Sequence, residues 1–230
     1  MKYLAIIFDL FGTLVDSYSV QGYKKLLTDM TSALELPTED FSKLWTKLWR
    51  DTTYERGVGI FKTTEESIRY ICNKINVSVS DENIRKCEQI RLETTRKALT
   101  PKNGAVDILK SLKGLGFKIG LITNCSVEVP PLWKNTEFSQ LFDVTIFSAS
   151  VSMKKPDPQI YNLACEQLEV EPSECLYFGD GDSNELSGAS QLGMDAVMIR
   201  DPNEIDPYRL VEVDWDGLRI ENFIEIMDLL

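Results

Sequence analysis

The sequence predicts a doubly wound α/β fold: a parallel sheet with a helical segment inserted after its first strand. Three observations predict it. After Pro101, short apolar runs alternate with helical stretches, the rhythm of a parallel sheet. From Ser17 to Leu99 the texture is helical. Polar residues follow directly on the apolar runs, where ligands of open parallel sheets bind.

Tyr3–Phe8 is a compact apolar run, the expected first strand, buried on both faces and stopped by Asp9 with a turn at Gly12-Thr13. Phe41, Leu44, Trp45, Leu48 and Trp49 fall on one helical face. Ile68, Ile71, Cys72 and Ile75 repeat that spacing, Leu26, Leu27, Met30, Ala33 and Leu34 follow it more loosely, and Ser80-Asp81-Glu82 opens another helix. Beyond Pro101, strands are expected at Phe117–Ile122, Val144–Phe147, Cys175–Phe178 and Ala196–Ile199. Helices are expected near Val106–Leu115, Ile160–Leu168 and Ser187–Leu192. The domain expectation is a Rossmann-like core of residues 1–16 and 99–230, with a small α-helical domain at 17–98. The last 30 residues hold nine acids and two bases, interleaved with Trp215, Leu218, Ile220, Phe223, Ile224 and Met227, which predicts a packed element with an acidic outer face.

Composition excludes several chemistries. The 230 residues contain no histidine, so Ser-His-Asp and Cys-His catalysis and imidazole-ligated metals are absent from this chain. The net charge of −11 argues against nucleic acid as a partner and requires local positive charge or a bound cation for an anionic substrate. No apolar run approaches a membrane span and no secretory h-region is present, so the expected location is cytoplasmic. The five cysteines lack C-x-x-C spacing and read as reduced, packed thiols, which makes the N-x-S triplets at Asn76 and Asn124 chance matches.

Three strand ends carry suitable chemistry: Asp9, Thr123-Asn124 and Gly179-Asp180. Asp9-Leu-Phe-Gly-Thr-Leu-Val-Asp16 resembles the first motif of the haloacid dehalogenase-like hydrolase superfamily. Thr123-Asn124 is similar to its second, Lys155-Pro-Asp-Pro158 to its third and Gly179-Asp-Gly-Asp-Ser-Asn-Glu185 to its fourth, in order and across essentially the whole chain. The insert after the first strand resembles the family's small cap.

The resemblance implies Asp9 as the nucleophile of a covalent aspartyl intermediate. It implies Thr123 and Asn124 as holders of substrate oxygens, and Lys155 as the positive charge facing Asp9 and the substrate. Lys154 lacks the following proline and is expected in solvent. Mg²⁺ is implied at Asp9, the backbone carbonyl of Phe11, Asp180 and Glu185, with Asp182 as an extra carboxylate. An EF-hand alternative fails, because Glu185 and Gln191 stand where Gly and Glu are required. In the cap, Arg50–Gly59 is the expected substrate-facing loop, with Arg56 able to meet an anion or to be a surface charge. Trp45 and Trp49 are expected in the cap core.

Phe11 departs from the phosphatase pattern, in which that position is the general-acid Asp. An aromatic here, and Tyr161 six residues after Lys155, resemble the dehalogenases, whereas Gly179-Asp180 resembles the metal-dependent phosphatases. Three functions are therefore weighed. The favoured one is Mg²⁺-dependent hydrolysis of a small phosphorylated metabolite, with proton transfer from another group such as Asp16 or a cap residue. The others are dehalogenase-type or other carbon-centred hydrolysis, and a non-catalytic binding or regulatory protein. A monomer or homodimer acting on a small anionic metabolite, without nucleic acid or membrane, is the expected partnership.

Overall fold

The computed structural model describes residues 2–200, 212 and 214–230. It begins with β1 (Ala5–Phe8) and then leaves the sheet for α1 (Val20–Ala33), α2 (Glu39–Asp51), α3 (Thr53–Gly57), α4 (Thr64–Lys74) and α5 (Asp81–Ala98). The remainder runs α6 (Ala105–Gly114), β2 (Lys118–Thr123), α7 (Val129–Trp133), β3 (Val144–Phe147), α8 (Ser148–Val151), α9 (Pro158–Leu168), β4 (Cys175–Gly179), α10 (Glu185–Gln191), β5 (Asp195–Ile199) and β6 (Leu218–Ile220). A 3₁₀ helix at Phe223–Leu229 follows. The six strands form one parallel sheet in the order β3-β2-β1-β4-β5-β6. This is the Rossmann-like α/β fold expected.

The central strand explains the layering. Successive side chains of a strand point to opposite faces. Ile6 and Phe8 accordingly join the apolar layer with Leu109, Leu121 and Phe178, while Ala5 and Ile7 join Ile122, Tyr161 and Tyr177 on the other side. All four β1 residues are buried, and the strand pairs with β2 and β4 in register, Ile7 opposite Gly120 and Tyr177. A third apolar cluster, from Leu26 to Cys87, is built from the α1–α5 segment alone.

Several expectations need correction. The stretch 50–59 is not a loop: α2 runs to Asp51 and α3 follows at once. Local hydrogen bonds explain this. Thr52 Oγ1 donates to the carbonyl of Leu48 at 2.9 Å and Thr53 Oγ1 to that of Arg50 at 2.6 Å, so both threonines satisfy themselves on the preceding turn. Leu44, placed on the apolar face by spacing, is 44% exposed, whereas Trp45 and Trp49 are buried and Phe41 and Leu48 pack partly buried beside them. α10 begins at Glu185 rather than near Ser187, which puts Glu185 in its first turn. The edge strand β6 has only three residues and one buried side chain, too little for an alternation signal. It sits in the acidic tail, where Ile220, Phe223 and Ile226 are buried while Ile224 is 81% exposed. Asp201, Glu204 and Asp206 of that tail lie outside the described residues.

Two glycines shape the interior. At Gly59, φ is +67° and an added Cβ would stand 1.9 Å from the Ala149 carbonyl oxygen, so the helical insert and the core touch backbone to backbone there. Ser148 Oγ donates to the Gly57 carbonyl at 2.6 Å beside it. At Gly179 an added Cβ would stand 2.2 Å from Glu185 Oε1, so the empty side of β4 is the room that Glu185 occupies.

Candidate active site

Asp9 lies one residue past β1, and its N–H still donates to the Phe178 carbonyl at 2.8 Å, which extends the sheet ladder to the carboxylate. The chain then turns within one residue: Gly12 has φ of +91° and its N–H donates to the Val15 carbonyl at 2.7 Å. That turn brings Thr13 back over the carboxylate, and Thr13 Oγ1 donates to Asp9 Oδ2 at 3.2 Å. Asp9 is 5% exposed.

Lys155 comes from the loop between α8 and α9 and is 2% exposed. Its ammonium donates to Asp9 Oδ1 at 2.5 Å, to Glu185 Oε2, and to Tyr177 Oη at 3.2 Å. Burial alone would pull this lysine down, but Asp9 and Glu185 outweigh it and hold the ammonium firmly charged. Tyr177 in turn donates a hydrogen bond to Glu185 Oε2 at 2.8 Å, and burial followed by Glu185 pushes its phenol well up, so it keeps its proton. Gly181 N–H donates to Glu185 Oε1 at 3.1 Å, so three donors from this chain serve that carboxylate. Burial, then the Asp9 charge, still drives Glu185 well above the ordinary carboxylate range. Tyr161 donates to the Glu185 backbone carbonyl at 2.9 Å, anchoring the first turn of α10. Lys154 is elsewhere, over the Tyr54 ring at 4.6 Å.

Thr123 and Asn124, at the end of β2, reach the same rim. Thr123 is fully buried and its hydroxyl has no hydrogen-bond partner among the described residues. Asn124 is committed to Lys155: the Lys155 N–H donates to Asn124 Oδ1 at 2.8 Å and Asn124 Nδ2 donates to the Lys155 carbonyl at 3.1 Å. This two-way bond fixes the backbone that carries the ammonium.

Asp9, Asp180 and Glu185 each offer a carboxylate oxygen, and these oxygens lie within 4.8 Å of one another. All three residues are buried. Three carboxylates this close repel one another in a low-dielectric site, and Lys155 supplies one positive charge to two of them. The all-oxygen donor set suits a hard divalent cation. The Asp182 carboxylate is not one of the three, although the Asp182 N–H donates to Asp180 Oδ1 at 3.2 Å. Asp182 lines a cavity of about 270 Å³ shared by Phe11, Tyr18, Arg91 and Asn124. The Phe11 ring stacks on Tyr18 with centroids 6.2 Å apart. Asp16 faces away, with its side chain 85% exposed and 3.9 Å from Lys102.

Arg56 is neither on the surface nor among the residues lining that cavity. Its guanidinium stacks on Trp49 at 4.1 Å and donates to the Trp49 carbonyl, to Thr52 Oγ1 at 2.7 Å and to Thr53 Oγ1 at 3.2 Å. Burial lowers it to about 10. Trp45 and Trp49 are buried and stacked on each other, as cap-core residues should be.

Three residues escaped sequence reasoning. Arg91 and Glu128 form a buried ion pair across the seam between α5 and the start of α7, with Nε to Oε1 at 2.7 Å and Nη2 to Oε1 at 2.6 Å. Glu212 caps α10 from outside. Its carboxylate accepts from the N–H groups of Leu186 at 2.7 Å and Ser187 at 3.1 Å and from the Ser187 hydroxyl, while its own N–H donates to the Gly181 carbonyl at 2.8 Å. A carboxylate at a helix N-terminus satisfies orphan donors and the helix dipole together. The α10 N-cap residue, Asn184, makes no such bond itself.

A family model described as haloacid dehalogenase-like hydrolase matches residues 3–193. The chain belongs to that family. It is accordingly a hydrolase, and the non-catalytic alternative gives way. An (S)-2-haloacid dehalogenase of Pseudomonas putida is 30% identical over 207 residues, covering 86% of this chain and 85% of the relative. A phosphoglycolate phosphatase of Salmonella choleraesuis is also 30% identical over 207 residues, covering 84% and 79%. Among solved structures, a 2-haloacid dehalogenase from Pseudomonas syringae superposes with a TM-score of 0.68 over 99% of this chain and 97% of that one, at 20% identity. That likeness shows the fold. No helix among the described residues is long and apolar enough to cross a membrane.

Proposed function

We propose that this hydrolase cleaves a small phosphomonoester through an aspartyl-phosphate intermediate, with Mg²⁺ held at Asp9 and Asp180. The convergence of three buried carboxylates carries this reading, since a cation relieves a repulsion that Lys155 relieves only in part. Bound there, Mg²⁺ would neutralise charge on the carboxylates and on the transferring phosphoryl oxygens. The Phe11 carbonyl is the further oxygen the first motif implies, and Glu185 acts by holding Lys155 and the loop after β4.

The steps proposed for the chain's own groups are these. An Asp9 oxygen attacks phosphorus, the P–O bond to the leaving alcohol breaks, and the alkoxide takes a proton. Water then attacks the aspartyl phosphate, releasing phosphate and regenerating the carboxylate. Lys155 stays charged throughout and stabilises the transferring oxygens. Phe11 transfers no proton. Asp182 shares the cavity with it, whereas Asp16 points away, so proton transfer falls to Asp182. Thr123 brings an unused buried hydroxyl to the rim for a substrate oxygen.

A second reading draws on Phe11. An apolar ring where an acid would stand suits a halide leaving group, which needs no proton, and attack by Asp9 would then fall on carbon. One assay separates the two. Purified protein stripped with EDTA is offered small phosphomonoesters and 2-chloropropionate, with and without Mg²⁺. Phosphate release that requires the metal is expected. Chloride release independent of metal, with no phosphate release, replaces this reading by the second.

A further inference from the structure

Cys165 and Cys175 face each other with their sulfurs in hydrogen-bond contact at 3.9 Å. Both are free thiols, Cys165 4% exposed and Cys175 fully buried. Cys165 stands near the end of α9 and Cys175 opens β4, ten positions along the chain. These are elements the site depends on. α9 follows Lys155 and sends Tyr161 to the Glu185 carbonyl, while β4 leads into Asp180. At about 3.3 Å per strand residue, Cys175 lies about 16 Å along the chain from Asp180, so the thiols hold α9 against β4 at the end away from the carboxylates.

The pair differs from the other cysteines in reactivity as well. Burial raises the thiols of Cys72, Cys87 and Cys125, the last to about 12. Cys165 is lowered, because the Cys175 thiol donates to it and favours its thiolate, the reactive form. The Glu171 carbonyl, 3.4 Å from Cys175 Sγ, is a second acceptor for the Cys175 proton.

We infer that Cys165 and Cys175 form an oxidation site, at which hydrogen peroxide converts the two thiols into a reversible disulfide that staples α9 to β4. The Cys165 thiolate attacks one peroxide oxygen, the O–O bond breaks, and the sulfur becomes a sulfenic acid while the departing hydroxide takes up a proton to give water. The Cys175 sulfur then attacks the sulfenic sulfur. The S–S bond forms, the S–O bond breaks, and a second water leaves with the Cys175 proton. The two thiols together lose two electrons, and one peroxide is reduced to two waters. The sulfurs must close from 3.9 Å to about 2.05 Å, a displacement on the scale of a side-chain rotation. The staple then stabilises the fold mainly by restricting the unfolded chain.

The test treats the full-length protein with hydrogen peroxide, denatures it, counts free thiols and maps the peptides by mass spectrometry. The count is expected to fall by two from the five of the reduced chain, with Cys165 joined to Cys175, and to recover in dithiothreitol. The oxidised protein should melt about 5–10 °C above the reduced one. Cys165→Ala should keep every remaining thiol free, and Cys175→Ala should stop at a sulfenic acid on Cys165 that dimedone traps. The wild-type peptide map decides the matter even where a variant fails to fold. Five thiols surviving the treatment, oxidation of Cys165 without a cross-link in wild type, or a cross-link between other cysteines overturns the site. A Cys165–Cys175 bond that leaves the melting temperature unchanged or lower overturns the staple.

Discussion

Replacing Lys155 by methionine removes the one ammonium that binds both Asp9 and Glu185 at the centre of the site. The side chain is nearly isosteric, so packing changes little, but the partner carboxylates stay buried. Breaking a buried pair by removing one partner costs about 3–5 kcal/mol. For a chain of this length each kcal/mol moves Tm by about 2–4 °C, so the melting temperature should fall by about 6–20 °C. The loss should depend on pH. Glu185 is already raised by burial and by Asp9, and the variant removes the lysine that opposes the shift. An acid whose folded pKa lies above its unfolded value holds an extra proton when folded, so its penalty is small near the unfolded value and grows as pH rises towards the folded one. The Tm deficit should therefore be larger at about pH 8 than at about pH 5, and Mg²⁺ should narrow it. Calorimetry in EDTA and in Mg²⁺ at both pH values measures this. Lys154→Met is the control. It loses only the contact over Tyr54, about 0.5–1 kcal/mol, or about 1–4 °C. A Lys155→Met protein melting within about 2 °C of wild type at both pH values would refute the electrostatic account of the site.

Other perturbations probe the supports. Glu212→Gln weakens the outside cap on α10 and should cost about 1–2 kcal/mol, seen as a lower Tm together with a lower kcat, because Glu185 sits in the first turn of that helix. Gly59→Ala forces a Cβ into the Ala149 carbonyl at a positive φ, and should separate the helical insert from the core, read as faster limited proteolysis between them. Asp182→Asn should slow esters of poor leaving groups by about 10²–10⁴-fold and nitrophenyl esters far less; equal slowing of both would remove Asp182 from proton transfer. Phe11→Asp should raise turnover of generic phosphoesters, and unchanged or lower activity would mean that the ring serves another reaction.

The strand ends were legible because an apolar run that stops at Asp9, Thr123 or Gly179-Asp180 marks both the element and the rim in a few residues. Lys155 was separable from Lys154 by the following proline alone. Arg56 was misplaced because a charged residue beside glycines looks like surface, and nothing local shows that Trp49 and two threonine hydroxyls bury it. Arg91 sits on a helix rich in charge, and its partner Glu128 is 37 residues away, so no periodicity reports the pair. Glu212 is one acid among many in an acidic tail, distinguished only by the helix end it meets in space.

The family match stops at residue 193, and Glu212 lies beyond it. Every motif acid is thus encoded in the matched stretch, yet the brace that sets the orientation of Glu185 is contributed by chain made afterwards. On the ribosome the residues of β1 to β5 and Asp9 would already be made while the loop after β4 still lacked its clamp. Competence would arrive last, when Glu212 reaches α10. A chain trimmed to the matched segment would keep every motif acid and lose both β5, which pairs with β4, and the Glu212 clamp.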